Sequence, residues 1–211
     1  MKKFTCWCLA CLWLSGCASI PSQQPSIDAQ QEWQKRLTRL TPVTRWEING
    51  RMSIRDNEEA YRATLHWTRN RLRHRIDFTG PFGRRYVRLE QDHRGAALYD
   101  KKMNVYRAPD AQRLLYRIIG WRVPLQGMNY WVLGIPAPGR RETHRLDAKG
   151  RLAYLKQSGW NIRFLEYRRV AGYDMPRKIY LSRTIMLAKK GHTHKTRHEL
   201  QVRLVINRWK L

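Results

Sequence analysis

From Trp46 to Arg55 the chain alternates without a break. Trp46, Ile48, Gly50, Met52 and Ile54 are apolar or glycine, and the residues between them are charged or polar. A period of two puts successive side chains on opposite faces of a strand. Residues 44–55 therefore predict an antiparallel strand with one buried and one solvated face. The pattern returns where Ala63, Leu65 and Trp67 alternate with Thr64, His66 and Thr68, and where Leu72, Ile76 and Phe78 alternate with Arg71, Arg73, Arg75 and Asp77. Further strands are predicted at 84–92, 95–100, 103–107, 142–147, 151–157, 159–170, 176–183 and 197–209. The turn signals are Asp147-Ala148-Lys149-Gly150 and Ser158-Gly159.

Three stretches change to helical spacing. Ser26 is placed to cap a helix over 27–40, with Trp33, Leu37 and Leu40 on one face. In 110–120, Leu114, Leu115, Ile118 and Ile119 make one stripe, and in 124–134 Leu125, Met128, Trp131 and Val132 make a weaker one. Many antiparallel strands with a few helices define an α+β class. The expected architecture is a strongly curved antiparallel sheet of about ten or eleven strands, with the helices covering its concave face. The apolar faces of the strands must meet something. Helices packed tightly against them give an ordinary core, and helices packed loosely leave a cavity for an apolar ligand. The pattern alone leaves both open.

The first seventeen residues carry a different signal. Lys2 and Lys3 precede the apolar run Phe4–Leu14, which ends in Leu14-Ser15-Gly16-Cys17. A basic start and a short apolar run describe a secretory signal. The run is too short for a membrane span, which needs roughly 20 residues. Leu-Ser-Gly-Cys has the form of a bacterial lipobox. The expectation is cleavage between Gly16 and Cys17, with the Cys17 thiol taking a diacylglycerol thioether. Ala18, where Asp would mark inner-membrane retention in that class, implies export to the outer membrane. The four cysteines are Cys6, Cys8, Cys11 and Cys17, so after cleavage no disulfide framework is expected. Residues 17–26 read as a lipidated flexible tether and 27–211 as a single domain, expected to be a monomer.

The chain holds 42 Lys and Arg against 16 Asp and Glu, a formal net charge of +26, and the signal removes only Lys2 and Lys3. In a cytosolic protein this would read as nucleic-acid binding, which an export signal argues against. Two readings remain: a solvated basic surface, or attraction to anionic phospholipid or lipopolysaccharide head groups. A basic run, Lys189–Lys195, precedes the last strand. His192, His194 and His198 give it a weak metal-site pattern, with Glu199 the acid nearby. No metal is expected there. His66, His74, His93 and His144 are expected as isolated surface residues.

Thr79-Gly80-Pro81-Phe82-Gly83-Arg84 reads as a loop between two strands. Phe82 stands at its tip, between Pro81 and Gly83, with Arg84 and Arg85 behind it. Either Phe82 folds back on the sheet, or it projects. A projecting phenylalanine followed by cations suits a bilayer interface, with the charges at the head groups.

Several segments, in order, resemble the LolB family of outer-membrane lipoprotein receptors. They are the lipobox 14–17, Trp46-Glu47-Ile48-Asn49-Gly50-Arg51, Leu65-His66-Trp67 and Phe78-Thr79-Gly80-Pro81-Phe82-Gly83. After these come Tyr130-Trp131-Val132-Leu133-Gly134-Ile135-Pro136, Gln157-Ser158-Gly159-Trp160 and the closing 204–211 with Trp209. The resemblance implies a half-open antiparallel barrel, or half-barrel, of the LolA/LolB kind, closed by helices around a cavity for acyl chains. It implies a receptor that accepts acylated lipoprotein cargo from a periplasmic LolA-type carrier. The receptor releases that cargo into the phospholipid of the inner leaflet of the outer membrane, without nucleotide. In the family the loop matching 79–84 carries an exposed apolar residue for membrane insertion, typically leucine, and Phe82 stands in that place. The cavity is expected to be lined by Trp46, Ile48, Met52, Leu65, Trp67, Ile76 and Phe78 from the first strands. Leu114, Leu115, Ile118 and Trp131 would come from the lid. No nucleophile motif, paired carboxylates or phosphate loop is legible, so neither a catalytic residue nor a cofactor is expected. The alternative is an outer-membrane lipoprotein with a structural or envelope-assembly role and a filled core.

Overall fold

The computed structural model describes residues 27–56, 59–80, 85–120, 123–188 and 195–211. The lipobox, the tether, Pro81, Phe82, Gly83, His192 and His194 lie outside them. The first helix, α1, is Ile27–Leu40, and it leads into β1 (Arg45–Asp56), β2 (Glu59–Asn70), β3 (Arg73–Thr79), β4 (Arg85–Asp92), β5 (Gly95–Asp100) and β6 (Val105–Ala108). Helices α2 (Ala111–Ile119) and α3 (Leu125–Trp131) come next. The chain ends in β7 (Glu142–Leu146), β8 (Leu152–Gln157), β9 (Trp160–Val170), β10 (Tyr173–Ala188) and β11 (Lys195–Lys210).

The eleven strands make one sheet in the order β6-β5-β4-β3-β2-β1-β11-β10-β9-β8-β7. Successive strands are joined as hairpins within β1–β6 and within β7–β11, and the two halves meet where β1 pairs with β11, with Ile48 opposite Trp209 and Met52 opposite Leu204. Beta6 and β7 are therefore opposite edges, and the sheet is open. This order dictates where the helices go. The chain leaving β6 must cross a whole face of the sheet to begin β7, and α2 and α3 lie on that crossing. They cover the face that carries Trp46, Ile48, Met52, Leu65 and Trp67, and together they form one contiguous apolar core.

Local chemistry explains the elements. Asp110 caps α2 by accepting from the Arg113 backbone N–H at 2.8 Å, and Gly120, at φ +74°, ends it. Ser158 and Gly159, with φ of 53° and 78°, form the two-residue reversal between β8 and β9. The β1–β11 register shifts at Asn49/Gly50, where any Cβ on Gly50 would lie 2.3 Å from the Val205 carbonyl oxygen. Two strand expectations change. Leu72 is not part of a strand face; it lies in the β2–β3 turn and is 68% exposed. Beta10 runs well beyond 176–183, because its ladder with β11 continues through Thr184–Glu199 and Met186–Arg197. Ladder hydrogen bonds carry this extension without a buried face, so hydropathy does not reveal it.

Candidate functional site

The residues expected to line an acyl cavity do come together. Trp46, Ile48, Met52, Leu65, Trp67, Ile76 and Phe78 lie on the helix-covered face of β1, β2 and β3, each at most 4% exposed. Leu114, Leu115 and Trp131 are buried against them, and Ile118 is partly buried at the margin. Between lid and sheet near His74 there is a void of only about 20 Å³, lined among others by Ile76, Leu89, Ala111, Leu125 and Asn129. That is room for one water, not for an acyl chain. The face is thus filled by its own lid in this conformation.

The floor of the site is aromatic. Trp46 meets Trp67 edge-on with ring centroids 5.0 Å apart and meets Trp209 at 5.9 Å. Trp209 donates its indole N–H to the Pro176 carbonyl at 3.0 Å, and Trp67 donates to Nδ1 of His74 at 3.4 Å. Among the described residues the buried Trp46 indole N–H finds no acceptor, and the buried Oδ1 of Asn129 finds no donor. His74 departs from the surface position expected of it. Burial, helped by the charge of Arg69, pushes its pKa down to about 4, so the imidazole is neutral at ordinary pH. It lines both the small void and a broader cleft of about 730 Å³ that opens beside Pro109 at the β3–β6 side. Three further histidines have partners: His66 approaches Glu47 at 3.2 Å, and His144 sits against Glu142 and the Trp33 ring. His198, on β11, lies 3.8 Å from Asp56.

Two polar residues that the sequence does not single out hold the lid. Gln157, on β8, is 1% exposed and satisfies both ends of its amide. Its oxygen accepts from the Trp131 indole and from the Ala137 backbone N–H, each at 2.8 Å. Its nitrogen donates to the Ala137 carbonyl at 2.9 Å. Arg36, on α1, reaches under the sequel to α3 and donates to the Leu133 carbonyl at 2.8 Å. Its guanidinium lies 5.4 Å from the centre of the Tyr167 ring, which Arg151 also approaches at 4.5 Å. Burial lowers the Arg36 pKa from its very high starting value and raises that of Tyr167. The only sequence hint was position: Gln157 stands in Gln157-Ser158-Gly159-Trp160, and the Arg36 acceptor follows Tyr130-Trp131-Val132.

Known proteins resemble this chain at two levels. A family model described as outer membrane lipoprotein LolB matches residues 44–209, the whole sheet and lid. A protein named outer-membrane lipoprotein LolB from Nitrosococcus oceani is 34% identical over 212 aligned residues, covering 97% of this chain and 98% of its own. Its namesake from Pseudomonas paraeruginosa is 33% identical, covering 80% of this chain and 83% of its own. Among solved structures, a LolA superfamily protein from Nitrosomonas europaea superposes with a TM-score of 0.51 at 11% identity, covering 88% of this chain and 94% of that one. At that identity the likeness concerns the fold.

Proposed function

This chain belongs to the LolB family of outer-membrane lipoproteins, and from that premise we propose that it is a lipid-anchored receptor on the periplasmic face of the outer membrane. It takes acylated lipoproteins from a LolA-type carrier and releases them into the facing leaflet. The observation that carries this reading is the apolar face of β1–β3, roofed by a lid, within the segment that the family model matches.

The energetics require such a site. Exposing an acyl chain costs about 0.8 kcal/mol per methylene, so a chain of about fifteen costs roughly 12 kcal/mol. Free transit through water is negligible, and a receptor acts by offering a better apolar surface. Here that surface is filled by the lid, so loading exchanges Leu114, Leu115 and Trp131 for acyl chains on the same aromatic floor. The exchange conserves apolar contact, which keeps the step reversible without nucleotide. The unpaired Trp46 indole N–H supplies a donor for an ester or amide carbonyl of the incoming lipid. Phe82 then enters the bilayer and lowers the barrier to release, and the thioether at Cys17 keeps the receptor beside its target leaflet. The protein acts as a monomer and moves cargo without covalent chemistry.

The test is transfer from the carrier. A non-acylated form should co-purify with a triacylated lipoprotein handed over by a LolA-type carrier. Absence of any such complex, with the carrier demonstrably loaded, would falsify the receptor reading and leave a structural role.

A further inference from the structure

The face of the sheet opposite the helices carries a continuous row of cations that the acyl-chain site does not use. Cross-strand pairing puts Arg145 of β7 opposite Tyr154 of β8, Tyr154 opposite Arg163 of β9, and Arg163 opposite Tyr180 of β10. Tyr180 is opposite Arg203 of β11, which shares Ser53 of β1 as a neighbour with Arg62 of β2. One line perpendicular to the strands thus reads Arg-Tyr-Arg-Tyr-Arg-Ser-Arg across seven strands. Four arginines recur on every second strand, about 9.6 Å apart at the usual strand spacing.

Tyrosine rings flank three of the four arginines. Arg145 lies 5.3 Å from the Tyr154 ring centre, and Tyr180 is flanked by Arg163 at 4.9 Å and Arg203 at 5.6 Å. A guanidinium stacked on a ring uses its face and leaves its in-plane N–H donors free for a bidentate oxyanion. Among the described residues none of the four forms an ion pair, although Asp77, Glu166 and Asp174 each hold arginines elsewhere on the sheet. All four side chains are exposed. At the β2 end, Arg51, Arg62 and Arg203 border a groove of about 370 Å³ that also touches Val205 and Gly80. Gly80 is the last described residue before the Phe82 loop.

We propose that this arginine–tyrosine row docks the protein on the phosphate head groups of an anionic phospholipid leaflet. Arginines spaced evenly along a line, three of them against tyrosine rings and none of them ion-paired among the described residues, match a repeating oxyanion surface. Tyrosine belongs at a membrane interface, where its ring and hydroxyl have different surroundings. The groove ending at Gly80 puts head-group contacts next to the segment assigned to bilayer insertion. In this respect the proposal rests on the receptor reading and adds to it the face that meets the membrane. The row then sets the orientation of the receptor on the leaflet and does not touch cargo.

The test uses the Cys17→Ala chain without residues 1–16, which keeps every described element, and vesicles of phosphatidylethanolamine with or without phosphatidylglycerol. Arg62→Gln, Arg163→Gln and Arg203→Gln together should lower partition onto phosphatidylglycerol vesicles about a hundredfold, given the usual worth of a cation at an anionic surface. Uptake of cargo from the carrier in solution should be unchanged. A control with Arg94→Gln, Lys101→Gln and Lys102→Gln removes equal charge from exposed turns outside the row and should change partition by no more than about threefold. Unchanged partition in the first variant, or an equal fall in the control, overturns the proposal. So does unchanged partition with loss of uptake, which would give the row to an acidic protein. If the parent chain takes no cargo while its partition still depends on these three arginines, the receptor reading fails and the docking face stands.

Discussion

Trp131, at the end of α3, donates its indole N–H to the side-chain oxygen of Gln157 on β8 over 2.8 Å, with both residues almost wholly buried. A buried amide is costly unless it is bonded at both ends, and Gln157 meets that condition with lid atoms. One strand side chain therefore sets the resting position of the lid.

Gln157→Leu keeps the volume and leaves the Trp131 and Ala137 N–H groups without acceptors. The expected cost is about 2–3 kcal/mol, a fall in Tm of roughly 4–12 °C for a chain of this size. Amide exchange in 125–137 should quicken more than in β9 and β10. Uniform quickening would mean that Gln157 supports the whole fold and not the lid.

His74 gives the protein a pH-dependent stability. Its folded pKa is about 4 and its unfolded value is ordinary for histidine. Between those values the unfolded chain binds the proton and the folded chain does not, so stability is full above about pH 6.5 and falls as pH drops towards 4. Denaturant titrations of His74→Gln, which retains an acceptor for the Trp67 N–H, should lose this pH-dependent part of the stability, on the order of 3 kcal/mol between pH 6.5 and 4. Parallel curves for the two proteins over that range would contradict it.

Gly150, in the β7–β8 turn, has φ +66°, and a Cβ there would lie 2.4 Å from the Ala29 carbonyl oxygen of α1. Gly150→Ala combines backbone strain with that clash and should cost at least about 2 kcal/mol. Because α1 carries Arg36, the change should also quicken amide exchange in 132–135. Intact protection there would show that the Arg36 contact survives displacement of the turn.

Phe82→Glu should still take cargo from the carrier but fail to pass it to liposomes, because a carboxylate resists the bilayer interface. Following labelled lipoprotein separates the two steps. Delivery at the parental rate would remove Phe82 from the mechanism.

Cys17→Ala should retain cargo uptake and lose efficiency of delivery in cells, because in the proposed mechanism the anchor supplies proximity to the leaflet. Loss of uptake by the purified protein would instead place the lipid inside the transfer site.

The local pattern located the strands and three helices, apart from the reach of β10, and sorted their faces, Leu72 excepted. Trp46, Ile48, Leu65 and Phe78 were legible as inward residues because a period of two assigns each side chain to a face from sequence alone. Likewise, the lipobox and the 79–84 loop are expectations read from contiguous residues. Tertiary structure decided what depends on which strands become neighbours. Nothing local says that β1 pairs with β11, yet that pairing makes β6 and β7 opposite edges and sends α2 and α3 across the apolar face. It decided that the lid fills that face, a choice the sequence left open. It buried His74, placed Gln157 under Trp131, and brought Arg62 into line with Arg203 and Arg163. The last three rest on register, and a shift of one residue would turn each side chain to the other face. Sequence periodicity decides which face a residue occupies, and only the folded sheet decides what stands beside it.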